Sequence, residues 1–223
     1  MGFRRVIITN FMKTILNIVC KIDNREYINA LSSNKPMLII INHINFLEVP
    51  ILVTHSSPIR VTGLAKAETW NNPLLAFVFN AYKGIPIDRK SAFTESFKKV
   101  RNAINNGVYV CVAPEGTRNI SGVLSRGKAG IIQLATETNI PVLPVAHYGG
   151  ENVWENIKKF KRTNFCIKAG QPFYIKINER PGKEEREIIL NEVMGQIAAL
   201  LPRQMRGIYS QYAHKNCKYL DFI

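Results

Sequence analysis

Three short apolar runs, Met37 to Ile41, Val108 to Ala113 and Val142 to Ala146, carry no charge and are rich in β-branched residues. Runs of this length suit strands, and the lack of polar alternation means that both faces are buried. Strands buried on both faces lie inside a sheet covered by helices, and such sheets are mostly parallel. Residues 60–65 and 85–87 read as shorter strands, and Phe165 to Ala169 with Phe173 to Ile177 as a final strand pair around Gly170 and Pro172. Helical segments separate them. Pro73 opens a strongly apolar helix from Leu74 to Tyr82, suited to line an apolar channel or to pack in the core. Phe93, Phe97, Val100 and Ile104 repeat at helical spacing up to the Asn105, Asn106, Gly107 stop. Residues 127–138 make another helix, and a last one runs from about Pro181 to Leu201, acidic in its first turns as the helix dipole favours. The expected fold class is α/β: a mostly parallel central sheet flanked by helices, with an N-terminal amphipathic helix.

That first helix covers residues 1–22. On a helical wheel Ile7, Ile8, Phe11, Met12, Ile15, Leu16, Ile18, Val19 and Ile22 take one side, with Thr9, Asn10, Lys13, Thr14, Asn17 and Lys21 opposite. Lys13 and Lys21 break the apolar run, so it reads neither as a secretory signal nor as a membrane span. Arg4 and Arg5 at its start favour an anchor lying in the membrane plane, and a helix packed on its own domain is the competing reading.

The formal net charge is +14, spread along the chain rather than held in a tail. Such a chain attracts anionic partners: nucleic acid, acidic lipid headgroups or phosphate-bearing substrates. The densest cluster, Lys158, Lys159, Lys161 and Arg162, has aromatic neighbours in Trp154 and Phe160 and suits a nucleic acid or a membrane interface equally. Cysteines at 20, 111, 166 and 217 show no CxxC pairing, so neither zinc nor a redox dithiol is suggested. Cys111 and Cys166 sit in apolar runs and read as inert core residues.

Candidate chemistry begins at Asn42 and His43, directly after the first buried strand, with Glu48 five residues on. Ligands of α/β sheets gather at the carboxyl ends of strands. A carboxylate in reach can fix the imidazole tautomer and stabilise an imidazolium formed by proton abstraction. A second candidate follows Val108 to Ala113, at Pro114, Glu115, Gly116, Thr117 and Arg118, where a guanidinium beside a hydroxyl and turn amides could grip phosphate. An ordinary turn with a surface ion pair between Glu115 and Arg118 is the alternative. A third, Gly84 to Arg89, ends a short apolar run in Asp88 and Arg89.

In order, these residues resemble the lysophosphatidic acid acyltransferase family of glycerolipid acyltransferases. Its NHxxxxD motif stands here as Asn42 to Glu48, with Glu48 where the family usually has Asp; its EGTR motif is matched by Glu115 to Arg118. Gly84 to Arg89 and Ile140 to Val145 are similar to the second and fourth motifs, and Lys66 with Glu68 resembles a position near the site, although an exposed ion pair explains these two as well. The resemblance implies His43 and Glu48 as the catalytic pair, and Arg89, Glu115, Gly116, Thr117 and Arg118 as substrate-binding residues. It implies an acyltransferase domain over residues 23–223, acting on a lysophospholipid acceptor with an acyl-CoA or acyl carrier protein thioester as donor, and no cofactor or metal. No acyl-enzyme is expected, since no Ser or Cys stands in these motifs as a nucleophile. The expected setting is cytoplasmic, peripheral on the inner face of an anionic membrane, without nucleic acid. Glycerol 3-phosphate or a headgroup-bearing lysophospholipid are alternative acceptors, and Glu48 leaves a catalytically silent lipid-binding relative open. A nucleic-acid-binding domain would explain the charge but leave His43, Glu48 and the EGTR turn without purpose. His55, His147 and His214 lack partners identifiable in the sequence and read as structural or solvated.

Overall fold

The computed structural model describes residues 3–33, 35–87, 94–177, 179–214 and 216–223. Helix α1 (Phe3–Val19) leads into strand β1 (Cys20–Asp23), helix α2 (Arg25–Ser33) and strand β2 (Leu38–Ile41). Then come α3 (Glu48–His55), β3 (Val61–Lys66), α4 (Pro73–Ala81), β4 (Ile85–Ile87), α5 (Thr94–Asn105) and β5 (Tyr109–Val112). The chain continues through α6 (Gly130–Thr138), β6 (Val142–Tyr148), α7 (Val153–Lys158), β7 (Thr163–Ala169), β8 (Phe173–Ile175), α8 (Lys183–Leu200) and β9 (Leu220–Phe222).

All the main strands form one sheet in the order β1-β7-β6-β2-β5-β3-β4. From β6 to β4 every neighbouring pair is parallel, so these five strands end at one edge. β7 runs antiparallel to β6, and β1 is parallel to β7. The expected mostly parallel sheet is the observed one. Its centre is dry: Leu38, Ile39, Ile40, Val110, Val142 and Leu143 are fully buried. At about 25 cal/mol per Å² of apolar surface, such side chains dominate the stability of the sheet.

Three elements differ from expectation. The first helix stops at Val19, and Cys20 to Asp23 extend into an edge strand, so Ile22 belongs to the sheet rather than to the wheel. β7 and β8 do not pair with each other; both lie along β6, Ala169 opposite Val145 and Phe173 opposite Val142. The extra residue across Gly170 to Pro172 is a bulge. Pro144 faces it, accepting from Gly170 N at 2.9 Å, and the missing N–H of a proline in a central strand costs no ladder bond there. Finally, α4 is not a core helix. Asn72 caps it, its Oδ1 accepting from Leu74 N and Leu75 N at 3.0 and 3.1 Å, but none of its side chains is buried and Leu74 is 71% exposed.

α1 is both packed and exposed. Thr9 and Leu16 are buried where the helix crosses α3 and α4, with Thr9 Oγ1 2.7 Å from the Tyr82 hydroxyl and the Arg5 guanidinium 5.0 Å from the Tyr82 ring. Ile7, Phe11, Ile15 and Ile18 face outward as a second apolar stripe. No helix among the described residues is long and apolar enough to cross a membrane.

Candidate active site

The carboxyl edge of the parallel strands collects the chemistry. Asn42 and His43 follow β2, Lys66 ends β3, the Glu115 to Arg118 turn follows β5, and His147 lies near the end of β6. Asn42 splices β2 to β6 beyond their ladder: its Nδ2 donates to His147 O and its Oδ1 accepts from His147 N, both at 2.9 Å. The strand end that carries His43 is thereby clamped by side-chain bonds that mimic a peptide pair.

Glu48 opens α3 and is fully buried, which its bonds make tolerable. Oε1 pairs with His43 Nδ1, and Oε2 accepts from Ile44 N at 3.2 Å and Asn45 N at 3.0 Å. The His147 Nε2 lies 2.8 Å from Oε2, and its N–H donates to Asn42 O at 3.0 Å. His147 is itself fully buried and stacks on Phe165 at 5.2 Å. The carboxylate therefore bridges two imidazoles. The longer side chain of Glu, against the usual Asp, reaches both rings.

The His43 Nδ1–H donates to this carboxylate, and among the described residues no hydrogen bond engages Nε2. The side chain is 26% exposed. Burial first, then the neighbouring Arg118, His147 and Lys66, lowers its pKa to about 4. A neutral ring with an open Nε2 is a base ready to accept a proton. Burial likewise lowers the His147 pKa to about 4 and keeps it neutral.

Glu115, expected at the substrate, lies against the His43 backbone and Ser125. It is buried; Oε1 accepts from His43 N at 2.7 Å, and Oε2 accepts from Ser125 N at 2.8 Å and from the Ser125 hydroxyl. Burial raises its pKa. Asn119 N donates to His43 O at 2.7 Å, so the loop after β5 holds the His43 backbone from both sides. Gly116 turns the chain at φ +68°, a left-handed conformation glycine adopts without strain, and leaves Thr117 and Arg118 exposed. No ion pair joins Arg118 to Glu115, or Lys66 to Glu68, among the described residues. Arg89 and Asp88 lie outside the described residues. Gly84 of the same stretch is needed for close approach: a Cβ there would stand 2.5 Å from Phe79 Cδ1.

A cavity of about 1030 Å³ adjoins the turn, lined by Leu64, Ile87, Val112, Gly116, Ile131 and Leu134, with Lys128 beside Gly116. Cys111 is buried in β5, its thiol pushed up to about 12 by burial, whereas Cys166 is only half-buried in β7. Among the described residues no His, Cys, Asp and Glu side chains cluster as a metal site.

A family model described as Acyltransferase matches residues 19–148. The chain belongs to the acyltransferase family. A 1-acyl-sn-glycerol-3-phosphate acyltransferase of Limnanthes douglasii is 30% identical over 143 residues, which are 63% of this chain and 49% of that protein. The Bacillus subtilis protein of the same name is 26% identical over 190 residues, 84% of this chain and 91% of its relative. The crystal structure of a 1-acyl-sn-glycerophosphate acyltransferase from Thermotoga maritima shares the fold with a TM-score of 0.58 and 20% identity, covering 88% of this chain and 79% of that one. Against the Limnanthes and Cocos nucifera relatives, this acyltransferase-family chain spans about half their length.

His147 and Ser125 were not legible as site residues. No spacing links either to His43; only the neighbouring positions of β6 and of the β5 loop beside β2 bring them in.

Proposed function

We propose that this chain transfers a fatty acyl group from an acyl thioester to the free hydroxyl of 1-acylglycerol 3-phosphate, giving phosphatidic acid. The observation that carries the reading is the His43 ring held through Nδ1 by buried Glu48, with Nε2 open beside Arg118 and Lys66. The names of the relatives agree with it. Nε2 takes the proton of the acceptor hydroxyl as its oxygen attacks the thioester carbonyl. The C–O bond forms, the C–S bond breaks, and the thiolate, or the thiol after receiving the proton back from His43, departs. General base assistance of this kind contributes on the order of 10² to 10⁴ in rate. Glu48 orients the ring and stabilises it when charged, and Glu115 positions its backbone. Arg118, Thr117 and Lys66 hold the acceptor phosphate, with Arg89 a further candidate. The apolar cavity beside Gly116 takes the acyl chain. The reaction needs no cofactor beyond its thioester co-substrate, from CoA or a carrier protein.

The acceptor resides in a membrane, and the outward stripe of α1 with the exposed Leu74, Leu75 and Phe77 of α4 supports peripheral docking on the anionic cytoplasmic face. The test is thiol release from an acyl thioester against 1-acylglycerol 3-phosphate, glycerol 3-phosphate and a headgroup-bearing lysophospholipid. Release should be fastest with the first and be lost in a folded His43→Ala protein. Faster release with another acceptor reassigns the substrate; near wild-type turnover by His43→Ala overturns the mechanism.

A further inference from the structure

The basic stretch Lys158 to Arg162 takes no part in the site described above, and its setting calls for a different role. After α7, Phe160 closes a turn at φ +53°, where a bulky residue is rare and glycine is usual. Phe160 N donates to Ile157 O at 3.0 Å and Lys161 N to Asn156 O at 2.8 Å, so the turn is well formed. The ring gains no packing in return, being 100% exposed. Trp154, at 58%, and Ile157 also stand out from this short helix, and Lys158, Lys159 and Lys161 are exposed around them. Aromatic rings amid lysines suit the headgroup layer of a bilayer, where the rings sit at the interface and the ammonium groups meet phosphates.

Two links tie this turn to the rest of the molecule. Arg162 donates to Asn17 O at 2.8 Å and Cys20 O at 2.7 Å, joining the turn to the end of α1, where Ile18 is exposed. Trp154 stacks on Phe46 at 5.0 Å, and Phe46 lies in the turn between His43 and Glu48. We propose that the α7 turn is a docking element for an anionic lipid bilayer, with Phe160 and Trp154 at headgroup depth and Lys158, Lys159 and Lys161 on lipid phosphates, so that the His43 turn is presented to the membrane. The proposal rests on the peripheral membrane reading above and assigns it a second contact. Nucleic acid or an acidic protein would meet the same lysines, but neither accounts for an exposed Phe at a costly backbone position on a turn bonded to the end of α1.

Trp154 and Trp70 are the two tryptophans, so in a Trp70→Phe background the emission reports on the turn. Mixed phosphatidylglycerol and phosphatidylcholine vesicles should shift it to the blue, and phosphatidylcholine alone much less. Phe160→Gly suits the left-handed backbone and preserves the fold. Combined with Lys158→Gln and Lys161→Gln, it should lower affinity for the mixed vesicles tenfold or more, each lysine being worth roughly fivefold. Turnover of a short-chain acceptor in detergent should stay at the wild-type level. An unmoved Trp154 emission, or unchanged vesicle affinity in the combined variant, overturns the proposal. So does loss of binding confined to a DNA duplex or an acidic carrier protein while vesicle binding persists. Absence of wild-type turnover in detergent would refute acyl transfer instead, a result the vesicle measurement does not share.

Discussion

At the scale of residues, the Glu48 carboxylate is the centre on which the site turns, because it is buried with two imidazoles and two backbone amides around it. Replacing His147 by Leu removes the ring that donates to Asn42 O and stands 2.8 Å from Glu48 Oε2, leaving a buried carboxylate with one polar neighbour fewer. Depriving a buried charge of a polar neighbour costs about 1–3 kcal/mol, and because Glu48 acts on His43 the loss should appear in kcat, about tenfold, with acceptor KM little changed. His147→Gln, which can still donate, should recover part of it. A folded His147→Leu protein with wild-type kcat would make the ring mere packing. Arg118→Lys tests the other side of the site: it keeps the charge but loses the bidentate fork, so acceptor KM should rise while donor KM holds. A rise in donor KM alone would give Arg118 to the phosphates of the acyl carrier. His43, Glu48 and Arg118 were legible because each lies in a local motif; His147 was not, because its relation to Glu48 exists only through the pairing of β2 with β6. Glu115 was legible as a site residue but not in its role, since a carboxylate beside an Arg reads as an ion pair until its burial is known.

Among the elements, α1 carries two apolar surfaces with different duties. Leu16 is buried, so Leu16→Ala should cost about 2–5 kcal/mol of stability. Phe11→Ser with Ile18→Ser alters only the outer stripe; melting should be nearly unchanged, and sedimentation with anionic vesicles should fall. Wild-type sedimentation of that variant would leave the outer stripe without a lipid partner. The helical wheel placed Thr9 on the polar side, yet it is buried on Tyr82, because a hydroxyl with a partner packs as readily as a methyl. Central strands were legible from unbroken apolar runs. β1 was not, since its four residues continue the wheel of α1, and α4 reads as core because composition cannot distinguish a side chain facing protein from one facing outward. The β7–β8 bulge likewise depends on β6, which neither segment reveals alone.

Over the whole molecule, the histidines make the native state sensitive to acid. His43, His55 and His147 each have pKa values lowered to about 4, burial being the first cause in all three. Unfolded histidines titrate near 6.5. Between these values the unfolded chain binds protons that the folded one refuses, and stability rises with pH wherever the unfolded state binds more. Stability should therefore be full above about pH 6.5 and fall as pH drops toward 4. Glu115, whose pKa is raised by burial, acts oppositely by one proton in its own lower range and offsets only part of the loss. Thermal melting across pH 7.5 to 4.5 measures the effect directly. The slope should be shallower by about one proton in His55→Gln, a variant remote from the reacting groups, whose ring bonds Asn17 Oδ1 at 3.0 Å and so couples α3 to α1. A melting temperature independent of pH in this window would show that the three rings take up protons in the folded protein as readily as in the unfolded chain, so that burial does not hold His43 neutral below about pH 6.5.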